Sequence, residues 1–246
     1  MLGWREHEIK DTPQEWLGRV HSNDIKQLEA DIETHLGGET DYFENEHRLQ
    51  SRGGGYHWIN ARGIALYHSD GSAYRMAGSI TDITARYKSE EQQQHDALHD
   101  ILTGLPNRLF FMRLISRALD QNKNDSHHQI AVLFIDMDRY KTINDSLGHT
   151  TGDQLLIAFS KRLENCPRPG DVVARLGGDE FTVFLDKVDG TEDAVHVAER
   201  IIKDLEIPFP LENHEIFITT SIGIALGNNN YNNPGDLLRD ADIAMY

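Results

Sequence analysis

Three short stretches carry side chains whose types and spacing could handle a phosphate. The first is Leu133-Phe134-Ile135-Asp136-Met137-Asp138-Arg139-Tyr140-Lys141, an apolar run ending in two carboxylates with a lysine beyond them. Carboxylates at a strand end are rigidly held and project into a cleft, as a divalent cation requires. Lys141 could then neutralise phosphate oxygens, although an acidic strand end capped by water has the same appearance. The second is Gly177-Gly178-Asp179-Glu180, between the apolar runs 172–176 and 181–185. Two glycines permit positive φ and close approach of a ligand to the backbone. If this hairpin lies beside the Asp136 strand, Asp179 comes near Asp136. The resulting two-carboxylate metal site would suit in-line attack on a phosphoryl group. The third is Asn144-Asp145-Ser146-Leu147-Gly148-His149-Thr150-Thr151-Gly152-Asp153. Its amide and carboxylate groups can match the donors and acceptor of a guanine edge, or it is a loop with an N-cap for the next helix.

The elements that must position these groups follow an α/β pattern from residue 102 onward. Residues 103–118 predict a helix with Leu105, Leu109, Met112 and Leu119 as its apolar positions and Pro106 near its start. Residues 130–135 predict a buried strand and 153–163 an amphipathic helix. The runs 172–176 and 181–185 make the hairpin. Residues 191–205 carry a helical stripe of Ala194, Val197, Ala198, Ile201, Ile202 and Leu205, and 216–226 read as one long β run. Asn233-Pro234 offers an N-cap and first-turn proline for a last helix with Leu237, Leu238 and Ala241 inward. The order predicts an antiparallel or mixed sheet with helices packed on it, an α+β fold.

The first third of the chain is different. Residues 13–37 predict a helix with Trp16, Val20, Ile25, Leu28 and Ile32 inward, followed by three antiparallel strands with a hairpin signal at Asp70-Gly71-Ser72. Residues 85–101, polar and without Gly or Pro, predict a helical linker. A heptad frame puts Ile83, Tyr87, Glu90, Gln94, Ala97 and Ile101 on its seam, a weak coiled coil with two polar seam positions, and a solvated spacer fits the same residues equally well.

Composition limits the function classes. A formal charge of −16 argues against nucleic-acid binding. It leaves room for a nucleotide bridged to carboxylates by a metal. A single cysteine, Cys166, excludes an internal disulfide and a cysteine-rich zinc site. The His127-His128 pair falls in a polar stretch and reads as solvated loop. Residues 1–6 carry no apolar stretch of signal-peptide length, and the longest apolar run, 130–135, is far short of a membrane span. The expectation is a cytoplasmic segment with no membrane helix of its own, in a protein whose tether, if any, lies outside it.

Taken in order, Asp100-Ile101-Leu102-Thr103-Gly104-Leu105-Pro106-Asn107-Arg108, residues 136–153, Arg175-Leu176-Gly177-Gly178-Asp179-Glu180-Phe181, Ser221-Ile222-Gly223 and residues 237–246 resemble the motifs of GGDEF-domain diguanylate cyclases. Residues 1–84 resemble the C-terminal part of a PAS sensor domain: Met1-Leu2-Gly3-Trp4, Glu8-Ile9, Trp16, Val20-His21, Asp24, Tyr56-His57-Trp58-Ile59 and residues 78–84. The resemblance implies a partial PAS domain (1–84), a helical signalling linker (85–101) and a palm-like βαββαβ cyclase domain (102–246) lacking its C-terminal basic, phosphate-contacting helix. It implies condensation of two GTP into cyclic di-GMP with release of pyrophosphate. By position, Asp136, the Met137 carbonyl and Asp179 would hold Mg²⁺ (or Mn²⁺), and Asp179 or Glu180 would assist deprotonation of the ribose 3′-hydroxyl. Asn144 and Asp153 would read guanine, His149 would sit near the nucleoside and Lys141 near the phosphates, with Gly177 and Gly178 against the substrate. Arg168 and Asp171 match the site where cyclic di-GMP inhibits. Each domain would bind one GTP, so catalysis needs a homodimer. The alternative is a catalytically silent GTP-binding module controlling a downstream EAL-type phosphodiesterase domain.

Overall fold

The structure is a computed structural model that describes residues 2–9, 12–122, 129–211, 214–228 and 230–245. The His127-His128 pair and Tyr246 lie outside the described residues. The chain forms two compact units, Met1–Gln93 and Gln94–Tyr246.

In the first unit, α1 (Pro13–Leu17) and α2 (Ile25–Leu36) precede the strands β1 (Phe43–Gln50), β2 (Tyr56–Tyr67) and β3 (Ala73–Asp82). The strands form an antiparallel sheet in the order β1-β2-β3. The single helix expected over 13–37 is broken in two. Between α1 and α2 the backbone leaves the helix to pair with β1: His21 N–H donates to Arg48 O at 3.0 Å and Gln50 N–H to Arg19 O at 2.9 Å. Asp24 secures this crossing by accepting two guanidinium N–H groups from Arg48, at 2.9 and 2.6 Å. The anticipated apolar positions still face the core. Val20 and Leu28 are buried with Phe43, Leu49, Ile59 and Ala61, and Trp16, Ile25 and Ile32 pack against that cluster.

The helix α3 (Thr84–Leu98) follows β3. Its heptad frame fails at two positions. Tyr87 is stacked on Trp58, with ring centroids 4.1 Å apart, and its hydroxyl donates to Glu46 at 2.8 Å. It is therefore committed to its own unit. Ile101 lies beyond the helix end, in a turn, 88% exposed.

The second unit contains α4 (Arg108–Asn122), β4 (Ile130–Met137), α5 (Tyr140–Leu147), α6 (His149–Glu164), β5 (Val172–Gly177) and β6 (Glu180–Leu185). It continues with α7 (Thr191–Leu205), β7 (Phe209–Leu211), β8 (His214–Ile216), β9 (Thr220–Gly227) and α8 (Pro234–Ile243). The main sheet has the order β5-β6-β4-β9, and every pairing in it is antiparallel. β4 lies inside this sheet and is apolar on both faces, so helices must cover both. On one face Leu133, Ile135, Phe181 and Val183 pack with Leu155 and Phe159 of α6 and Ile201 and Leu205 of α7. On the other, Val132, Phe134 and Phe184 pack with Phe111 and Ile115 of α4 and Leu237 and Leu238 of α8.

Three local expectations change here. The helix expected from residue 103 starts at Arg108, because Asp100 accepts from the Thr103 N–H and hydroxyl and Gly104 turns with φ of 77°. Leu109 is consequently 48% exposed, and Phe111, Ile115, Ala118 and Leu119 are the buried positions. The β run over 216–226 is divided: Ile216 pairs with Phe209 in a separate hairpin, and β9 begins at Thr220. The polar stretch 144–153 is the junction of α5 and α6, joined at Gly148 with φ of 86°.

One glycine is required by packing. A Cβ on Gly223 of β9 would drive into the Ala241 carbonyl and the backbone of Ala244 and Met245. These belong to the end of α8, so bare backbone at Gly223 lets that end lie on the sheet. We expect Gly223→Ala to lower stability by about 2 kcal/mol or more, read as a shifted urea midpoint. An unchanged midpoint would show that the α8 end does not depend on this contact.

Candidate active site

The catalytic candidates gather where β4 and β6 end together. Their register places Asp136 directly opposite Glu180. Like charges facing each other across a sheet repel, and burial strengthens the repulsion. The Asp136 carboxyl is pushed up to about 6, first by burial and then by the charges of Asp179, Asp138, Glu180 and Asp242. Glu180 is also raised, by burial and by Asp242, with Arg108 partly offsetting the effect. Asp179 thus reaches Asp136 as the sequence implies, but it comes from the turn, and the cross-strand partner is Glu180.

A guanidinium fixes that turn. Gly177 and Gly178 have φ of 147° and 54°, conformations that side-chain-bearing residues avoid. Nothing lies within 4 Å of where a Cβ would stand on either, so the outer face of the turn is open to a ligand. From the inner side, the buried Arg175 donates Nε and Nη2 to the Gly178 carbonyl at 3.0 and 2.7 Å. Its Nη1 donates to Asp100 Oδ1 at 2.8 Å. Burial alone would raise Asp100, yet hydrogen bonds from Thr103 and Arg175 hold its carboxyl below the usual range. The Arg175 N–H also donates to Pro106 O at 2.9 Å, so the 100–108 turn and the glycine turn are tied through one residue.

Beyond β4 the chain turns sharply. Arg139 has φ of 61°, a left-handed conformation costing about 1 kcal/mol for a residue with a side chain. Asp138 stabilises this corner: its N–H donates to Thr219 O, and its carboxylate accepts from the Thr219 and Ser221 hydroxyls. Asp136, Asp138, Arg139, Phe217 and Thr219 help to line a cleft of about 770 Å³.

The α5–α6 junction supplies a second polar centre. Asn144 Oδ1 is buried and has no hydrogen-bond partner among the described residues. A Cβ on Gly152 would meet it at 2.6 Å and the Tyr140 hydroxyl at 2.9 Å, so this glycine lets both side chains close in. The Tyr140 hydroxyl is raised by burial and then by the charge of Asp153, with Asp179 adding to it. Tyr140 therefore lies in reach of both centres. Asp153 is exposed beside Gly152, and Lys141 and His149 are exposed on α5 and α6. Among the described residues no hydrogen bond or ion pair joins Lys141 or His149 to the carboxylates.

Arg168 and Asp171 meet, but unequally. The Asp171 side chain is 1% exposed and accepts from the N–H groups of Arg168 and Asp186, at 3.0 and 3.1 Å. Arg168 is 48% exposed and donates to Lys187 O at 3.0 Å. Asp171 thus shapes the loop from inside, and Arg168 presents it outward.

Sequence reasoning assigned no role to Arg175, Asp100, Tyr140 or Asp242, and it read Asp138 only as the second strand-end carboxylate, without its hydroxyl partners Thr219 and Ser221. For Arg175 a signal was present: a lone arginine inside an apolar strand must have partners, and the adjacent glycine turn offers a carbonyl. Asp242 is distant in sequence and reaches the site only through the α8 packing at Gly223.

The Asp136 shift has a consequence for stability. Its folded-state value near 6 exceeds the unfolded value near 3.8. The folded state therefore holds the proton better between those values, and the metal-free protein loses stability as pH rises through them. In chelator, we expect Asp136→Asn to be more stable than the wild type at pH 7.5 by about 1 kcal/mol, the roughly 3 kcal/mol equivalent of the full shift being cut by solvent screening at this partly exposed carboxyl, and equal to it below about pH 4. Urea unfolding at both pH values reads this. A difference independent of pH would contradict it.

Comparison with known proteins places the chain in a family. Residues 97–246 match the family described as "Diguanylate cyclase, GGDEF domain", and residues 1–80 match the PAS fold. The chain is 47% identical over 153 residues to the diguanylate cyclase TpbB of Pseudomonas aeruginosa, covering 62% of this chain and 35% of that protein. The solved GGDEF domain of TpbB superposes with a TM-score of 0.57 at 46% identity, covering 60% of this chain and 86% of that one. The coiled coil and GGDEF domain of DgcB from Caulobacter crescentus, solved in complex with c-di-GMP, gives 0.61 at 25% identity, covering 67% and 86%. The chain is also 36% identical over 169 residues to the cyclic di-GMP phosphodiesterase PdeR of Escherichia coli, covering 68% of this chain and 25% of that protein. It therefore spans about a third or less of the curated relatives named here. Among the described residues no helix is long and apolar enough to cross a membrane. With its family match covering more than half its length, the chain belongs to the GGDEF diguanylate cyclase family and carries a PAS fold at its N-terminus.

Proposed function

We propose that the second unit condenses two GTP molecules into cyclic di-GMP, releasing pyrophosphate. The observation that carries this reading is the set of acids around Asp136, whose ionisation is penalised in the protein alone. Such a set fits a divalent cation. Among the described residues no three His, Cys, Asp or Glu side chains already converge as ligands. The fit therefore rests on Asp136, Asp179 and the Met137 carbonyl. Mg²⁺ or Mn²⁺ held there would neutralise phosphate charge and make the 3′-hydroxyl of the ribose more acidic.

The chain's own groups divide the remaining work. The turn at Gly177 and Gly178 lets the triphosphate approach the backbone. Asp179 or Glu180 takes the hydroxyl proton, and the raised carboxyl of Glu180 suits it to hold one. Asn144 Oδ1, buried and without a hydrogen-bond partner among the described residues, would accept from guanine, with Asp153 beside it. His149 would lie near the nucleoside and Lys141 near the phosphates once substrate orders their exposed side chains. One domain supplies one GTP, so the reaction runs between two copies, brought together under control of the PAS unit and α3. Cyclic di-GMP would inhibit by gripping Arg168, with Asp171 holding the loop in shape.

A second reading is favoured by the similarity to PdeR: a GTP-binding module that regulates a phosphodiesterase domain without chemistry of its own. One experiment separates the two. The dimeric protein is incubated with GTP and Mg²⁺, and cyclic di-GMP is followed by chromatography, with Asp179→Ala as control. Product from the wild type alone supports the cyclase, and added cyclic di-GMP should then slow the wild type but not Arg168→Ala. GTP binding without product would favour the second reading and contradict the first.

A further inference from the structure

The end of α3 holds a feature that the cyclase reading does not use. His95 and His99 are one helical turn apart, and their imidazoles are stacked, with centroids 4.0 Å apart and planes within 3° of parallel. His99 Nδ1 lies 2.9 Å from the His95 carbonyl oxygen. A carbonyl only accepts, so that nitrogen carries the proton and Nε2 keeps its lone pair. A metal-ligating imidazole is usually held this way, its far nitrogen donating to an oxygen and its near nitrogen free.

The two rings differ in freedom. His99 is half-buried near Phe110, with ring centroids 6.0 Å apart, and its backbone bridges to Pro106. His95 is 55% exposed. It can rotate until both Nε2 lone pairs address one ion, whereas His99 already stands fixed.

We propose that His95 and His99 form a site for a divalent transition-metal ion of the class that prefers imidazole, Zn²⁺ foremost, with water completing the coordination. Hard cations such as Mg²⁺ select oxygen and would go to the carboxylates around Asp136 instead, so the two sites differ by chemistry. The pair supplies two ligands at the end of a helix, and an ion there would brace the last turn of α3. His99 is followed directly by Asp100, whose carboxylate holds Arg175. The ion would therefore sit at the entry to the clamp on the glycine turn. This proposal does not depend on the cyclase reading.

The test is calorimetric titration of Zn²⁺ into the full chain with millimolar Mg²⁺ present, comparing wild type with His95→Gln. His95 is exposed, so its replacement should leave the fold intact. We expect the wild type to bind one Zn²⁺ at least about tenfold more tightly than the variant. Zn²⁺ should raise the unfolding midpoint of the wild type only. It should also shift the Nε2 nitrogen resonances of both histidines. Equal Zn²⁺ affinity in His95→Gln, or Nε2 resonances that do not respond, would overturn the proposal.

Discussion

The glycine turn at the candidate site rests on one buried guanidinium. Arg175 has a rigid planar fork, and its donors face two acceptors that the sequence places far apart: the Gly178 carbonyl and the Asp100 carboxylate. A glycine turn by itself is among the least ordered pieces of a chain, because glycine loses more conformational freedom on folding than any other residue. Anchoring its carbonyl from beneath fixes where Asp179 and Glu180 leave the strand. It does so without covering the outer face, where a substrate would have to approach. The same arginine attaches the turn to residues 100–106, the first structured segment after α3.

That anchoring is needed because the site works against the fold. Asp136 and Glu180 are forced opposite each other by a register that the apolar residues of β4 and β6 dictate. Slipping that register by one residue would exchange the β4 side chains packed under α6 and α7 with those packed under α4 and α8 and unpack both layers, so the carboxylates are held together. Arg139 in a left-handed conformation and Asn144 with a buried oxygen unpaired among the described residues add to the cost. Strain and unpaired polar groups of this kind concentrate where a ligand will relieve them. The stability comes from elsewhere, from the two apolar layers on either side of the sheet.

Much of this was legible in the sequence because it depends on periodicity. The β4 run, the β5–β6 hairpin, the α7 stripe and the Asn233 cap, whose side chain accepts from Gly235 N–H, are local patterns that tertiary structure had only to accept. The misreadings arose where a side chain outweighed local propensity. Asp24 with Arg48 accompanies the break between α1 and α2, and Asp100 delays α4 by claiming Thr103. The acids at the site could be named from their motifs. Their pairing could not, because whether Asp179 or Glu180 faces Asp136 depends on where β6 begins after the turn and on its register with β4, a strand more than 40 residues earlier in the chain. Asp242 was beyond reach for a related reason: its position follows from backbone packing at Gly223, which carries no hydrophobic signal.

The dependence of the site on the Arg175 fork is tested most directly by the turnover of Arg175→Lys. Lysine keeps the charge and can still approach Asp100, but it cannot give the Gly178 carbonyl two hydrogen bonds in the plane of a guanidinium. With folding checked by its urea midpoint, the variant should form cyclic di-GMP with kcat lowered at least about tenfold and KM for GTP little changed. A folded Arg175→Lys enzyme with wild-type kcat would contradict the account.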